Sequence, residues 1–312
     1  SVLEVLESTA YINGPKVHEF QKNLEDYLGV KNVIPCANGT DALQIAMMGL
    51  GLKPGDEVIT ADFTFAATVE VIALLGLTPV LVDVEPDTFN IDVNAIRKAI
   101  TPKTKAIVPV HLFGQCADMD AIMEIAEEHD LYVIEDNAQA IGATYTSKDG
   151  SKLKAGAIGH VASTSFFPSK NLGCYGDGGA IFTNDDDLAH TIRGIVNHGM
   201  YARYYHDIVG VNSRLDSMQA AILRIKLRKL DQYNLARQKA AQCYTDNLKS
   251  LPQLVTPKLA KQSTHVFHHY TLQIMDGSRD ELKKYLDGLS IPNAVYYAVP
   301  LHNQKAYKKP QY

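Results

Sequence analysis

Hydrophobic residues recur along this chain in two patterns that alternate with each other. From Pro15 to Leu28 apolar side chains recur at helical spacing, and Gly29 follows them, so the sequence predicts a helix over 15–28. Short continuous Val/Ile/Leu runs predict buried strands. The predicted strands are 33–34, 57–60, 79–84, 105–110, 131–135 and 180–183, and further helices are predicted to end at 49–51, to pass through 71–75, and to cover 93–100, 118–129 and 187–196.

Buried strands that alternate with amphipathic helices are typical of a mostly parallel sheet covered by helices on both faces. In such sheets, ligands bind beyond the carboxyl ends of the strands. The sequence therefore predicts an α/β fold with a ligand site at one edge of its central sheet.

The pattern changes after about residue 200. A tyrosine-rich loop is predicted at 200–212 and a long helical region at 213–250, and prolines and serines follow at 252–264. Beyond them we predict a smaller α+β unit, with strands at 266–274 and 294–297 and a helix at 278–289. The sequence thus indicates a large domain over 1–250 and a small C-terminal domain over 251–312.

Composition restricts the class of protein. Hydrophobic content of 46% and charged content of 21% in 312 residues are ordinary for a globular enzyme, and a net charge of −5 argues against nucleic acid as a partner. No apolar run reaches the roughly 18 residues of a membrane span. The four cysteines show no Cys-x-x-Cys spacing, which favours reduced thiols in a cytoplasmic protein over disulfides or a zinc site.

The strongest candidate for chemistry lies in the stretch 163–179. Pro168 ends an apolar run, and Lys170 follows between Ser169 and a segment with four glycines in seven residues. Glycines let backbone approach a ligand closely. A lysine buried in such a turn can lose its proton and attack an aldehyde as an amine. Most lysines in loops are simply exposed, so Lys170 needs support from the rest of the chain.

A predicted strand delivers a carboxylate to the ligand edge of the sheet. Asp136 ends the apolar strand 131–135, and a buried anion there could keep a pyridine nitrogen protonated. The alternative interpretation of Asp136 is a helix cap or a solvated strand end. Gln139, three residues later, could donate to or accept from a ring oxygen, or serve as a polar loop residue.

Two further segments follow predicted strands. Asn38-Gly39-Thr40 opens a helix, where free N–H groups and the helix dipole favour a phosphate, although Asn and Thr are also routine helix caps. Phe63-Thr64-Phe65 could stack on a flat heterocycle or pack in the core. An amine, an anion, a phosphate cradle and a stacking ring at one sheet edge together indicate pyridoxal 5′-phosphate.

The whole chain resembles the DegT/DnrJ/EryC1/StrS family of sugar aminotransferases, a branch of the fold-type-I enzymes that use pyridoxal phosphate. Several motifs in a fixed order carry this resemblance. They are Tyr-Ile-Asn-Gly-Pro at 11–15, Cys-Ala-Asn-Gly-Thr-Asp-Ala-Leu at 36–43, Pro-Gly-Asp-Glu-Val-Ile at 54–59, Phe-Thr-Phe-Ala-Ala-Thr at 63–68, Ile-Glu-Asp-Asn-Ala-Gln at 134–139, the stretch 163–179, and Gly-Val-Asn-Ser-Arg-Leu-Asp at 210–216.

The resemblance implies a role for each candidate. Lys170 would form the internal aldimine and shuttle a proton, with pyridoxamine 5′-phosphate as an intermediate, and Asp136 would pair with the pyridine nitrogen. Gln139 would lie near the phenolic oxygen of the ring, and Phe65 would stack on it. The implied phosphate ligands are Gly39, Thr40, Ser165 and Asn212.

The family draws the ligand that matches Asn212 from a partner subunit, so the resemblance implies a homodimer with shared active sites. Arg214 could bind an anionic group of the donor or of the sugar, or form a salt bridge at the dimer interface. The implied donor is L-glutamate, and the implied acceptor is a nucleotide-linked keto sugar of surface-polysaccharide biosynthesis.

Within these motifs, the sequence most resembles the subgroup that aminates UDP-3-keto-N-acetylglucosaminuronic acid. dTDP- or UDP-linked 3- or 4-keto-6-deoxyhexoses remain alternatives as the acceptor, because Tyr296 stands where family members have His on the sugar side and Ala61-Asp62 replaces a pair that usually contains Pro. We expect Tyr296 and Tyr297 to contribute to substrate binding.

Family members continue past Pro-Leu-His with a strand and a helix, whereas this sequence stops at Tyr312. We therefore expect the small domain to be incomplete, with the missing segment after the tail 307–312 disordered or removed. Two other classes remain as rivals: a regulatory protein that binds pyridoxal phosphate, and a dinucleotide-binding oxidoreductase. The second would need a Gly-x-Gly-x-x-Gly turn after the first strand, and residues 38–41 do not form one.

Overall fold

A computed structural model of the protein describes residues 1–308. Its helices are α1 (Val2–Ser8), α2 (Pro15–Leu28), α3 (Gly39–Gly49), α4 (Ala66–Leu74), α5 (Val93–Ala99), α6 (Met119–His129), α7 (Asp186–Ile195), α8 (Ser217–Leu227), α9 (Leu230–Leu248) and α10 (Arg279–Gly288), with 3-10 turns at Leu112–Gly114 and Leu301–Asn303.

The strands of the described residues form one large sheet and three two-stranded sheets. They are β1 (Asn32–Cys36), β2 (Glu57–Ala61), β3 (Thr78–Val82), β4 (Thr104–Val108), β5 (Tyr132–Asp136), β6 (Thr144–Thr146), β7 (Lys152–Lys154), β8 (Val161–Ser165), β9 (Gly179–Thr183), β10 (Met200–Ala202), β11 (Tyr205–His206), β12 (Leu254–Val255) and β13 (Gln273–Ile274).

The central sheet of the described residues has seven strands in the order β1-β9-β8-β5-β4-β2-β3. Its strands run parallel except β9, which pairs antiparallel with β1 on one side and β8 on the other. The predicted α/β class with a mostly parallel sheet is therefore confirmed.

Successive strand residues face opposite sides of the sheet, and each side is covered by helices. Ile34, Ile134 and Ile181 pack in a cluster with residues of α3, α4 and α7. Their neighbours along the strands pack in two clusters on the other side, one with α5 and α6 and one with α2 and α8. Because both faces are buried, the strands are continuously apolar, as the sequence pattern indicates.

Two regions differ from the sequence prediction. The tyrosine-rich segment 200–212 contains the hairpin β10–β11, and the region 213–250 is two helices that separate at Arg228–Lys229.

The predicted strands 266–274 and 294–297 are wrong except for the two residues of β13. The N–H of Val266 donates to the carbonyl of Gly114 instead of to a neighbouring strand, so the segment follows the 3-10 turn. The helix predicted at 278–289 is present as α10. The division of the chain near residue 250 stays a prediction.

In residues 1–308 no helix is both long and apolar enough to cross a membrane. The predicted C-terminal tail 307–312 lies partly outside the described residues, which end at Lys308. Tyr307 is buried beside Leu301 and Val69.

Candidate active site

Asp136 lies at the carboxyl end of β5, where its side chain is shielded from solvent. Its side chain is 5% exposed, the hydroxyl of Thr68 donates to Oδ2 at 2.8 Å, and the N–H of Ala138 donates to Oδ1 at 3.1 Å. Thr68 comes from α4 and is itself buried. Asp136 is therefore not a solvated strand end. It is a buried carboxylate fixed by two donors, which the sequence alone could not distinguish from a cap.

Lys170 lies in the loop that joins β8 to β9. Ser165 and Gly179 are opposite each other in that antiparallel pair, so the loop leaves and re-enters the sheet at one point. The side chain is half-buried, and within residues 1–308 its Nζ has no hydrogen-bond or ion-pair partner. Burial lowers the pKa of Lys170, while the negative charge of Asp136 acts to raise it. The amine of Lys170 therefore loses its proton more readily than that of an exposed lysine, and the neutral form is the nucleophile.

The beginning of α3 packs directly against the ends of β8 and β9. A Cβ added to Gly39 would lie 2.7 Å from Cβ of Ser165, and one added to Gly179 would lie 2.4 Å from the carbonyl of Asn38. Both glycines are therefore required for this close approach.

This helix start offers donors to an anion. Oδ1 of Asn38 accepts from the N–H of Asp41 at 2.8 Å. In the described part of the chain the N–H groups of Gly39 and Thr40 have no hydrogen-bond partner. The hydroxyl of Thr40 lies in the first turn of α3, and that of Ser165 lies at the end of β8, which packs against this turn. Free N–H groups at a helix N-terminus with hydroxyls beside them fit a phosphate.

The two phenylalanines of Phe63-Thr64-Phe65 have different environments. Phe63 packs on Phe89 and Phe113, with ring centroids 5.6 and 6.3 Å away. Phe65 caps α4 and is 60% exposed, so its ring face is open to a ligand. Of the two, Phe65 alone keeps the geometry that stacking on a heterocycle requires.

Gln139 is buried, and both polar atoms of its side-chain amide form hydrogen bonds. Its Oε1 accepts from the N–H of Phe113 at 2.8 Å, and its Nε2 donates to the hydroxyl of Tyr297 at 3.2 Å. Burial, opposed by the hydrogen bond from Gln139 and assisted by the charge of Asp136, raises the pKa of Tyr297 to about 12. Tyr297 therefore stays a neutral phenol and joins Gln139 and Asp136 in one group.

The remaining predicted residues lie further out. Tyr296 is 39% exposed and its ring stacks on His269, with centroids 4.2 Å apart. Asn212 is exposed and Arg214 half-buried, and in the described chain the guanidinium of Arg214 has no hydrogen-bond or ion-pair partner. Among residues 1–308 no hydrogen bond, ion pair or β-bridge joins Asn212 or Arg214 to Lys170 or Asp136.

Ser213 holds this outer segment to the start of α3. The residue is fully buried, its hydroxyl donates to Oδ2 of Asp41 at 2.7 Å, and it accepts from the N–H of Ala37 at 3.0 Å. Asn212 and Arg214 flank this anchor on either side. The backbone that carries Asn212 and Arg214 is therefore fixed beside the start of α3 of the same chain.

Two histidines near Lys170 were not singled out from the sequence. Burial and the charge of Lys170 lower the pKa of His268 to about 2 and that of His269 to about 4, so both rings are neutral. Nδ1 of each is shielded from solvent and lacks a partner in the described chain. The adjacent His-His pair was a possible signal, but its segment was predicted to be a strand of another unit.

A second buried carboxylate precedes Asp136 on β5 and faces the opposite way. Glu135 accepts from Nε2 of His111 at 2.7 Å and from three backbone N–H groups, those of Gly156, Ile158 and Gly159. Nδ1 of His111 accepts from the N–H of Ala117, so the proton is on Nε2. Burial alone would raise the pKa of Glu135, but these hydrogen bonds outweigh burial and hold that pKa below its usual value.

We expect Glu135→Gln to lower the free energy of unfolding by about 3 kcal/mol at pH 7, because an amide group would face backbone donors and the charge would be lost. A lowered folded-state pKa stabilises the protein above the unfolded-state value of about 4.3 and ceases to do so as the pH falls through the folded-state value. The difference from wild type should therefore shrink below about pH 4. Urea denaturation measures it, with exposed Glu124→Gln as control. An equal loss in both variants would contradict the assignment.

A neutral amine can attack an aldehyde, and the free N–H groups at the start of α3 and the buried carboxylate of Asp136 fit a phosphorylated pyridine ring that carries one. This fold and site together define a pyridoxal-phosphate-dependent aminotransferase. The profile of the DegT/DnrJ/EryC1/StrS aminotransferase family matches residues 1–312, and the chain belongs to that family. The predicted family, enzyme class and cofactor are confirmed.

Relatives of the chain span several roles. The UDP-2-acetamido-2-deoxy-3-oxo-D-glucuronate aminotransferase of Pseudomonas aeruginosa is 51% identical over 305 residues, covering 98% of this chain and 83% of the relative. A pleiotropic regulatory protein of Geobacillus stearothermophilus is 49% identical over 306 residues, covering 97% and 80%. The crystal structure of S. venezuelae DesV in complex with a ketimine intermediate has a TM-score of 0.94 at 42% identity, covering 98% of this chain and 81% of that one.

Proposed function

We propose that this enzyme transfers the amino group of L-glutamate to the C3 keto group of a UDP-linked 2-acetamido-3-oxo sugar acid. The observation that carries the proposal is the 51% identity to an enzyme named for that substrate. The guanidinium of Arg214, which has no hydrogen-bond or ion-pair partner among residues 1–308, supports it, because a 3-oxo uronate and glutamate both carry carboxylates that such a group binds.

Different residues of the site would bind different parts of the cofactor. The N–H groups of Gly39 and Thr40 and the hydroxyl of Ser165 would hold the phosphate, and Phe65 would cover a face of the ring. Asp136 would hold a proton on the pyridine nitrogen. Gln139 would donate to the ring oxygen, with Tyr297 fixing its orientation. When bound, pyridoxal phosphate supplies the electron sink that stabilises negative charge on the carbon losing its proton.

Lys170 would act as the base of the reaction. Its Nζ would take the proton from the Cα of glutamate and later deliver a proton to the sugar carbon that receives the amine. That role needs an amine that is neutral when released, and burial supplies this by lowering the pKa of Lys170. The neutral rings of His268 and His269 add no charge that would oppose the return of the proton.

The experiment is a glutamate-dependent assay of the enzyme loaded with pyridoxal phosphate against UDP- and dTDP-linked 3-keto and 4-keto sugars. We expect the highest kcat/KM for the UDP-linked 3-keto sugar acid. Fastest turnover of a dTDP-linked 4-keto sugar would contradict the proposed substrate. Binding of pyridoxal phosphate without any half-reaction with glutamate would favour the alternative that the chain is a regulatory protein. The 49% identity to a pleiotropic regulatory protein is the observation behind this alternative.

The proposal includes a homodimer in which Asn212 completes the phosphate site of the partner. Asn212 is exposed and its side chain has no hydrogen-bond partner in the described chain, which supports a role toward a second copy. Mixing Lys170→Ala with Asn212→Ala subunits after mild dissociation should restore activity to about one quarter of wild type, because half of the random dimers contain one unaltered site. Each variant alone should remain much less active.

Recovery in the mixture would show that Asn212 acts across the interface. Absence of recovery, with subunit exchange verified by mass, would place Asn212 in the site of its own chain.

The proposal places the reaction in the cytoplasm. Cys36, Cys116, Cys174 and Cys243 are all free thiols, which suits a reducing compartment.

A further inference from the structure

The segment 297–302, which we name the strap, is attached at both ends to the same short stretch after β2. At one end the ring of Tyr297 packs edge-on against Phe63, with centroids 5.5 Å apart. At the other end His302 is held by Asp62. Residues 298–300, between these attachments, are exposed.

The attachment of His302 uses both oxygens of one carboxylate. Its backbone N–H donates to Oδ1 of Asp62 at 2.9 Å, and its Nδ1 lies 2.5 Å from Oδ2. The backbone of Asp62 is itself fixed, because its N–H donates to the carbonyl of Val82 at 2.9 Å. A carboxylate that accepts two hydrogen bonds from one residue constrains that residue more than a simple surface ion pair does.

Apolar packing completes the attachment. Leu301 is buried beside Val69 of α4, the helix that Phe65 caps. The strap is therefore fastened to the two elements that carry Phe63 and Phe65. Its first residue, Tyr297, reaches inward to Gln139, and the preceding Tyr296 stacks on His269.

We propose that Asp62 and His302 form a clasp that positions the strap, and through it Tyr296 and Tyr297, for binding of the keto sugar. The inference rests on the proposed function, because it assigns the two tyrosines to the sugar half-reaction. Among the described residues Asp62 and His302 make no hydrogen bond or ion pair with Lys170 or Asp136, so they act as positioning residues and not as catalytic ones.

The test measures the two half-reactions separately in Asp62→Ala, His302→Ala and the double variant. We expect Asp62→Ala to raise the KM for the keto sugar about 10-fold, because binding must then order a loose strap. The kcat, the glutamate half-reaction and the Kd for pyridoxal phosphate should stay within about twofold of wild type, because Tyr297 keeps its contacts with Gln139 and Phe63 when the clasp is removed.

The three variants distinguish a clasp from two unrelated surface changes. His302→Ala should have a smaller effect, because its backbone N–H can still donate to Asp62, and the double variant should match Asp62→Ala. Asp62→Asn should recover part of the affinity, since the amide oxygen accepts one of the two bonds. The matched control is Asp246→Ala, which removes an exposed carboxylate on α9.

Several outcomes would overturn the inference. An unchanged KM in Asp62→Ala, additive effects in the double variant, or an equal loss in both half-reactions would each do so while leaving the proposed function intact. If wild type aminates no UDP- or dTDP-linked keto sugar, the proposed function fails and the clasp loses its assigned role with it.

Discussion

Lys170→Ala should abolish amino transfer, lowering kcat by at least about 10⁴-fold, because no other described side chain offers an unpaired amine at this position. The visible absorption band of the covalently bound cofactor should disappear as well. The fold should survive, since the Nζ makes no hydrogen bond in the described chain and the backbone N–H of residue 170 keeps its bond to Phe167.

Absorbance scans and single-turnover kinetics with glutamate measure this effect, and circular dichroism checks the fold. Lys152→Ala removes an exposed lysine from β7 and should leave both the band and the activity unchanged. A Lys170→Ala protein that retains the band would show that another amine binds the cofactor, and the assignment of the site would be wrong.

Asp136→Asn should lower the rate of the glutamate half-reaction by about 10²- to 10⁴-fold, because an uncharged amide cannot keep a ring nitrogen protonated. The substitution preserves shape. The amide oxygen can still accept from Ala138, and the hydroxyl of Thr68 can rotate to accept instead of donate. Stability should therefore change much less than activity.

A second measurement on Asp136→Asn does not depend on turnover. The charge of Asp136 raises the pKa of Lys170, so removing that charge should lower this pKa further. The pH profile for modification of Lys170 by an amine reagent in the cofactor-free protein should then shift to lower pH. Asp26→Asn, which removes the charge of an exposed carboxylate on α2, is the control. An unshifted profile would contradict the electrostatic link between Asp136 and Lys170.

The sheet could be predicted because its signal is local. A strand buried on both faces must be continuously apolar, and Ile34, Ile134 and Ile181 all lie in such runs. The antiparallel direction of β9 carries no local signal, because it depends on how the loop of Lys170 turns back. The break between α8 and α9 was missed since neither Gly nor Pro marks Arg228–Lys229.

The wrong strands show where local pattern fails. Residues 266–274 are rich in β-branched and aromatic side chains, as strands are, but the partners of Val266 and Phe267 are a 3-10 turn and the side chain of Arg237, whose Nη1 donates to the carbonyl of Phe267 at 3.0 Å. An extended segment needs backbone partners, and no sequence pattern states whether these belong to a sheet.

Residues with unusual chemistry at the sheet edge could be identified from the sequence, whereas their supports could not. Lys170 and Asp136 stand out because an amine and a carboxylate follow apolar strands. Thr68, which fixes Asp136, is an ordinary hydroxyl residue inside a helix. The clasp between Asp62 and His302 joins residues far apart in the chain, so only the fold reveals it.

The position of β9 also sets an order of events during synthesis of the protein. The first strand, β1, pairs only with β9 in the described sheet, and Cys36 lies opposite Gly179. Because chains emerge from the ribosome N-terminus first, the start of α3 waits for the second half of the chain before Gly179 and Ser165 can close against it. The proposed phosphate site and the loop of Lys170 can therefore be completed only after β9 has been synthesised, because β9 lies between β1 and β8.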